Sequence, residues 1–465
     1  MFASLLEPEI KELIEARNFA ALREVFADWP PADLAELISD LPEAEQVVVF
    51  RLLPQSVASE TFEYLSIEAQ KHLLQAMGHE ETVNLLNEMS ADDRTALLEE
   101  LPPAAVTQLL RLLSPEERAV AQRLLNYPED SVGRLMTPDF IAVRDQWTVR
   151  EVLDFIRANG RDSETLGMIY VTDEHSQLID DIRIREFLLR PLEAKVSEIR
   201  DNAFVALKVT DPRETAIEDF KKYDRTAMPV VDGDGRLVGI VTSDDVFDVL
   251  EEQVTEDIQK LGGMEALDEP YNKISMLNML KKRAPWLIIL FLSEMFTSNA
   301  LGHFEDEIEK VVVLAFFVPL IISSGGNSGS QATTLVIRAL ALGEVKLRDW
   351  YRVMARELSA GLLLGLVLGI VGFFRVMSQQ WLHNAFPHMV RGYDDPHYHV
   401  YQFAAVIFFS LIGIVGWGTL MGASLPFILR RLGLDPATAS APFVATLVDV
   451  TGIFIYFSVA GILLT

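Results

Sequence analysis

Apolar residues recur every twelve positions along the first part of the chain. Trp29, Leu41, Leu53, Leu65, Met77, Met89, Leu101, Leu113 and Leu125 form one column. The next residue is each time a helix breaker or cap: Pro30, Pro42, Pro54, Ser66, Gly78, Ser90, Pro102, Ser114 and Asn126. A second column runs Ile38, Phe50, Phe62, Leu74, Leu86, Leu98 and Leu110. Each unit predicts a helix of roughly ten residues, stopped and restarted by Pro, Gly or a Ser cap. Helices that short are marginal alone and must bury their stripe on neighbours. The period predicts an all-α short-helix solenoid over residues 1–128, whose default role is a scaffold or docking surface.

The pattern then changes to short β-rich runs in two copies. Met168-Ile-Tyr-Val-Thr-Asp-Glu-His-Ser-Gln-Leu178 parallels Met228-Pro-Val-Val-Asp-Gly-Asp-Gly-Arg-Leu237. Each has an Asp-led turn, a second apolar run and a helix, and Asp232-Gly-Asp-Gly235 is a strong hairpin signal. Upstream, Phe140-Ile-Ala-Val matches Phe204-Val-Ala-Leu. A linker with Glu251, Glu252, Glu256 and Asp257 follows and reads as a connecting helix.

Five long apolar stretches complete the chain, about 285–302, 311–336, 355–377, 401–429 and 441–465. Each can cross a hydrocarbon core of ~30 Å, which needs roughly 20 residues. Lys281, Lys282 and Arg283 precede the first, Arg338, Lys346, Arg348 and Arg352 separate the second and third, and Arg430 and Arg431 separate the fourth and fifth. Basic residues mark the cytoplasmic side. The expected topology is a multi-pass protein of the cell inner membrane, N-terminus in the cytoplasm and C-terminus outside.

Charge divides the chain at the same place. The net charge is −28 over 465 residues. Residues 271–465 hold 12 acidic and 14 basic side chains, leaving 56 and 26 before them, a net of +2 against −30. Such an acidic half repels nucleic acid and suits cations. The chain has no Cys, which excludes disulfides and thiolate metal sites. The first nineteen residues lack a basic segment and an apolar core, so no signal peptide is expected. With no Walker motif and scattered His, no enzyme is expected.

The last stretch holds one charge, Asp449. A carboxylate at bilayer depth costs about 2.5–3.5 kcal/mol on insertion scales, and it persists only facing a partner or a watery path. A cation is the simplest partner, weighed against an incidental polar contact. Glu294 in the first stretch reads equally as a pore-mouth carboxylate or a structural group. The run Gly325-Gly-Asn-Ser-Gly reads first as close helix packing and second as a helix break that exposes carbonyls. His383, His388, His397 and His399, near Asp394 and Asp395, read as a solvated loop ahead of a transition-metal site.

Several motifs carry a resemblance. Leu135-Met-Thr-Pro138 and Gly239-Ile-Val-Thr-Ser-Asp-Asp245 resemble the opening and the strand-to-helix ending of a tandem CBS pair. The first copy has Asp180 where the second has Gly239. Leu434-Asp-Pro-Ala437, Ala441-Pro-Phe-Val-Ala-Thr-Leu-Val-Asp-Val-Thr-Gly452 and Gly325-Gly-Asn-Ser-Gly-Ser-Gln331 resemble the signatures of MgtE magnesium channels. The resemblance implies a multidomain chain: the helical solenoid (1–128), an α/β tandem CBS pair (129–246), a connecting or plug helix (247–282) and an all-α five-helix transmembrane pore domain (283–465). It implies a homodimer whose pore carboxylate is Asp449, holding hydrated Mg²⁺. It implies further Mg²⁺ ligands at Glu60, Asp92, Asp224, Asp245, Asp248, Glu256, Asp257 and Asp435, and ATP as a candidate ligand of the CBS pair at Thr242 and Asp245. Ala96 and Ala441 depart from the family pattern, where an acid and an Asn are usual.

The implied mechanism is feedback. Cytoplasmic Mg²⁺ bridges the acidic domains, draws them together and closes the pore. Mn²⁺ and Co²⁺ are further candidate ions. The rival readings are an H⁺- or Na⁺-coupled divalent cation carrier and a CBS nucleotide-sensing protein with a membrane anchor.

Overall fold

The computed structural model describes residues 9–14, 16–267, 271, 274–385 and 399–464. The chain divides into two compact units, Met1–Glu251 and Glu252–Thr465.

In the first unit the twelve-residue period holds without a slip. Helices span Pro31–Asp40, Glu43–Phe50, Gln55–Glu63, Ile67–Ala76, His79–Glu88, Ala91–Glu99, Pro103–Leu112 and Pro115–Leu125. The residue before each is the expected breaker, with φ between −76° and −54° and ψ between 140° and 161°. Proline is set to that φ by its ring, while the Ser66 and Ser114 hydroxyls accept from Ala69 and Glu117 N–H. Both apolar columns line one core, with Leu41, Leu53, Leu65, Ile38, Phe50, Phe62, Leu86 and Leu98 buried in it. Arg94 is fully buried there. It donates to the Leu86 and Met89 carbonyls and pairs with Glu117.

Two three-stranded sheets follow, β1 (Ala142–Arg144), β2 (Met168–Thr172), β3 (Leu178–Arg183) and β4 (Leu207–Lys208), β5 (Ala227–Val231), β6 (Leu237–Thr242). In each, the first pair is parallel and the second antiparallel, with the register shift at the same place. Each turn is folded by an Asp: Asp173 Oδ1 accepts from His175 and Gln177 N–H, and Asp232 Oδ1 from Asp234 and Arg236 N–H. The turns pair with each other, Leu178 N–H to Gly235 O at 3.1 Å and Leu237 N–H to Ser176 O at 2.9 Å. This fixes a constant offset between the copies and corrects the sequence alignment by one residue on the first strand. Met168 corresponds to Ala227, not Met228, because register follows the ladder and not the shared Met.

The connecting helix runs Ser243–Leu261. It starts directly at the end of β6 and stops at Gly262 and Gly263, the latter at φ 73°, so it is shorter than the 247–282 expected. The first apolar helix begins at Met276, ahead of its apolar stretch. Ser275 caps it by accepting from Asn278 N–H, and Lys281–Arg283 are good helix formers.

Among its described residues the second unit holds five helices long and apolar enough to cross a membrane: Met276–His303, Val313–Ala341, Leu347–His383, Val400–Arg431 and Ala441–Leu464. The second, fourth and fifth share a core that includes Phe317, Ile321, Ile407, Ile414, Val444, Val448 and Tyr456. The second helix is continuous through Gly325–Gly329, so the helix-break reading fails and the packing reading holds. A Cβ at Gly418 would lie 2.4 Å from Gly325 O, and one at Gly422 would lie 2.1 Å from Gly329 O. Ser328 and Thr419 hydroxyls, 2.7 Å apart, bond across the same seam. Of the outer-loop His, His388 and His397 lie outside the described residues, as do Asp394 and Asp395.

Candidate functional site

The acids of the first unit gather at one seam between the solenoid and the CBS pair. Helix Ala91–Glu99 supplies Asp92 and Asp93 in its first turn, and the connecting helix supplies Asp244 and Asp245 in its own. Both pairs sit where the helix dipole favours negative charge. Asp92 is buried. Burial first, then the charges of Asp245, Asp93 and Glu164, push its carboxyl well above the usual carboxylate range. Burial and Asp244 likewise raise Asp245. Burial is also the first cause for Glu63, raised to about 7, with Asp93, Glu164 and Glu60 adding repulsion. Asp93, Glu164 and Asp248 are raised for the same reasons.

Of the residues singled out from sequence, the structure brings Asp92, Asp245 and Asp248 to this seam, and Glu60 to its margin beside Glu63. None of the seam's charge interactions includes Asp224, which is exposed and ends helix Arg213–Tyr223 in a left-handed turn at φ 52°. Glu63, Asp93, Glu164 and Asp244 were missed. The doublets Asp92-Asp93 and Asp244-Asp245 were legible, but nothing local marks Glu63 or Glu164. Ala96 is exposed. Among the described residues, no three Asp, Glu or His side chains converge as a preformed metal cage. The donor set is all carboxylate, which suits a hard cation that keeps its waters.

Thr242 and Asp245, the pair expected at a nucleotide, engage each other. Asp245 Oδ2 accepts from Thr242 Oγ1 at 2.8 Å and from Thr242 N–H at 3.2 Å, which caps the connecting helix. In the first copy, Asp180 stands opposite Val171 as Gly239 stands opposite Val230. The Asp180 carboxylate is buried and accepts from Asp181, Asp201 and Asn202 N–H. Beside it the buried Asp181 pairs with Arg225 at 3.2 Å.

In the second unit, Lys260 Nζ lies 2.6 Å from Glu256 Oε1 and 2.7 Å from Asp435 Oδ2. Burial and the Asp435 charge raise the Asp257 carboxyl. Asp435 Oδ1 accepts from Ala437 N–H at 2.8 Å and so caps the turn Pro436–Thr438. That turn leads into helix Ala441–Leu464, where Asp449 is half-buried. Glu294, exposed on the first apolar helix, is the charge that Asp449 feels. Ser330 Oγ bonds the Ala441 carbonyl at 3.2 Å.

The sequence pattern of MgtE, described as a divalent cation transporter, matches residues 318–459. That of the MgtE intracellular N domain matches residues 29–130, and that of the CBS domain residues 196–252. The magnesium transporter MgtE of Thermus thermophilus is 44% identical over 338 residues, 73% of this chain and 71% of that protein. The chain belongs to the MgtE family. The magnesium transporter MgtE of Enterococcus faecalis is 29% identical over 336 residues, 72% of this chain and 70% of that one. Among solved structures, the cytosolic domain of the Mg²⁺ channel MgtE in complex with ATP matches with a TM-score of 0.51 and 37% identity, covering 52% of this chain and 100% of that one. The soluble part of a magnesium transporter matches with a TM-score of 0.51 and 25% identity, covering 54% and 99%. Like its family, the chain is a multi-pass membrane protein, with a helical N-terminal domain, a CBS pair and five apolar helices.

Proposed function

We propose that this chain is a Mg²⁺ channel, working as a homodimer in the cell inner membrane, which closes when Mg²⁺ binds its acidic cytoplasmic domains. The observation that carries the permeation half is Asp449. It is the single charged side chain of a 24-residue apolar helix, half-buried within one protomer, and the charge it feels is the Glu294 carboxylate. A hydrated divalent cation satisfies such a group without a dehydration cost. A second copy would cover the exposed face that carries Glu294 and complete a polar path.

The seam supports the gating half. Glu63, Asp92, Asp93, Glu164, Asp245 and Asp248, all with raised pKa values, crowd like charges into one place. A divalent cation between Asp92, Asp245 and Asp248 relieves that repulsion, so it favours the packed arrangement over the spread one. The connecting helix carries Asp245 and Asp248 at its start and leads on to the membrane helices, so packing at the seam biases the pore. ATP is a candidate modulator at Thr242 and Asp245, where it would compete with the capping bonds described above.

Uptake of Mg²⁺, Mn²⁺, Co²⁺ and Ca²⁺ in a transport-deficient cell tests the reading. Mg²⁺-dependent rescue with saturable uptake supports it, and single-channel currents separate a channel from a coupled carrier. Failure of the wild type to move any divalent cation overturns it.

A further inference from the structure

The first apolar helix, Met276–His303, and the fifth, Ala441–Leu464, pack side by side and run in the same direction. Two aromatic contacts fix their register. Trp286 meets Phe443 with ring centroids 6.2 Å apart. Phe304, just past the end of the first helix, stacks on Phe457 at 4.8 Å. Glu294 and Asp449 lie between these contacts. Counted from the first contact they are eight and six residues along, and from the second ten and eight residues back. At about 1.5 Å of rise per residue, Glu294 falls about 3 Å beyond Asp449 by one count and about 3 Å short of it by the other. The two carboxylates therefore share one depth in the membrane. Charge agrees with register, since the Glu294 carboxylate is the charge that Asp449 feels. Glu294 is exposed on the single protomer. One turn on, Thr297 is only 8% exposed, and among the described residues its Oγ1 has no hydrogen-bond partner. A carboxylate turned to lipid at this depth, with an unanswered hydroxyl one turn away, is unfavourable on both counts. Water and a cation answer both groups.

We infer that Glu294 is a second ion-holding carboxylate of the permeation path, level with Asp449, so that two copies of the chain surround a divalent cation with four carboxylates. This rests on the permeation reading above and deepens it. Mg²⁺ gives up its waters reluctantly, so the carboxylates act on the hydrated ion chiefly through charge. Coulomb attraction scales with the product of the charges. Each added carboxylate therefore favours a divalent ion twice as strongly as a monovalent one at the same distance. Glu294 is thus a specificity-determining residue: it raises the preference for divalent over monovalent cations at the level where Asp449 holds the ion.

The absence of Cys makes the test direct, because a single introduced thiol can be followed by mass. The full-length chain is placed in liposomes and treated with a membrane-impermeant cationic methanethiosulfonate. Glu294→Cys should be modified, and millimolar Mg²⁺ should slow the modification on the order of tenfold by occupying the site. Leu292→Cys, exposed on the opposite side of the same helix, should stay unmodified. A Glu294→Cys thiol that does not react, or that reacts at a rate Mg²⁺ leaves unchanged, overturns the inference. Flux supplies the second readout should the Cys variant fold poorly. Glu294→Gln should raise the Mg²⁺ concentration for half-maximal flux on the order of tenfold and lower the Mg²⁺-to-Na⁺ permeability ratio, as the loss of a fixed charge beside the ion requires. Glu294→Asp, which keeps the charge, should restore both. A merely structural role would scale the maximal flux and leave the half-maximal concentration and the ion ratio alone, and that result overturns the inference too. Because thiol modification needs no transport, a Mg²⁺-protected thiol at position 294 beside a wild type that conducts nothing would sink the proposed function and leave the carboxylate site standing.

Discussion

Asp245 of the connecting helix presses its charge on the buried Asp92 of the solenoid. Asp92 feels Asp245 most strongly after its own burial, and Asp245 feels Asp244 and Asp93 of the same cluster. A buried pair of this kind holds protons that separated carboxylates would release. The packed seam therefore binds more protons than the spread one.

A pH dependence follows with a definite sign. Burial, helped by the charges of Asp93, Glu164 and Glu60, pushes Glu63 from the ordinary 4.5 up to about 7. A carboxyl raised in the packed state favours packing fully below its ordinary value, and that contribution is lost as pH climbs through the raised one. Without Mg²⁺, protease protection of the seam should be high near pH 4.5 and fall as pH rises through about 7. Mg²⁺ should restore it at higher pH and release protons in doing so. Calorimetry at pH 7 in two buffers of different ionisation enthalpy reads that release directly. Identical heats in both buffers would remove proton linkage from the seam.

The membrane half makes a packing prediction. Gly422 faces the Gly329 carbonyl, which a methyl would meet at 2.1 Å. That oxygen is helix backbone and cannot step aside. Gly422→Ala should therefore destabilise the domain by about 1–3 kcal/mol or force the helices apart. Gly461→Ala, where a Cβ meets nothing within 4 Å, should be neutral or slightly stabilising through helix propensity, by up to ~1 kcal/mol. Thermal melts of the purified protein in detergent compare the two. Equal melting points would contradict the close approach of the two helices.

Much of this architecture was legible because its determinants are local and periodic. Pro30 through Ser114 announce the solenoid helices, and the Asp-led turns at Asp173 and Asp232 announce the hairpins. Helix ends at the connecting segment were less so. Lys281–Arg283 are polar in composition but extend the first apolar helix, and Gly262-Gly263 stop the connecting helix early. The site was legible in part. Asp449 stands out in an apolar helix, and acidic doublets mark two sides of the seam. Glu63 and Glu164 join it only through tertiary packing. Lys260 at i+4 from Glu256 follows a readable helix rule, but its second partner, Asp435, is set by the fold. Arg94 was invisible for the converse reason: a buried Arg is unexpected until its carbonyl partners are seen.

Permeation should depend on charge at position 449. Asp449→Ala removes the one carboxylate of its helix and should lower Mg²⁺ flux on the order of tenfold or more, equivalent to at least ~1.4 kcal/mol of barrier. The protein should remain assembled, because losing a charge at bilayer depth relieves an insertion cost. Asp449→Asn keeps the size and separates charge from shape. Liposome flux beside a size-exclusion profile checks both, and wild-type flux in the Ala variant would exclude Asp449 as the permeation site.

The sensor gives a prediction whose sign must be argued, because two effects oppose each other. Replacing Asp92, Asp245 and Asp248 by Asn removes like charges from a crowded seam. That alone lowers repulsion and favours packing, hence closure, even without Mg²⁺. The same change removes the groups a bridging ion would hold, which weakens the preference of Mg²⁺ for the packed state. Repulsion between partly exposed charges is screened within about 8 Å at physiological salt. It is already reduced here, because Asp92 and Asp245 hold their protons more tightly than free carboxylates. Direct ion bridges are not screened in this way. Ligand loss should therefore win, and the triple variant should stay open at cytoplasmic Mg²⁺ levels that close the wild type. The midpoint of Mg²⁺-dependent closure should shift up by on the order of tenfold, the size of a coupling energy of ~1.4 kcal/mol. Glu80→Gln, at an exposed acid outside the seam, should leave the midpoint unchanged and so controls for net charge. Flux against Mg²⁺ concentration, with protease protection of the connecting helix read in parallel, decides the sign. A triple variant that closes at the same or lower Mg²⁺ than the wild type would show that the seam's acids set solubility and packing but do not sense the ion.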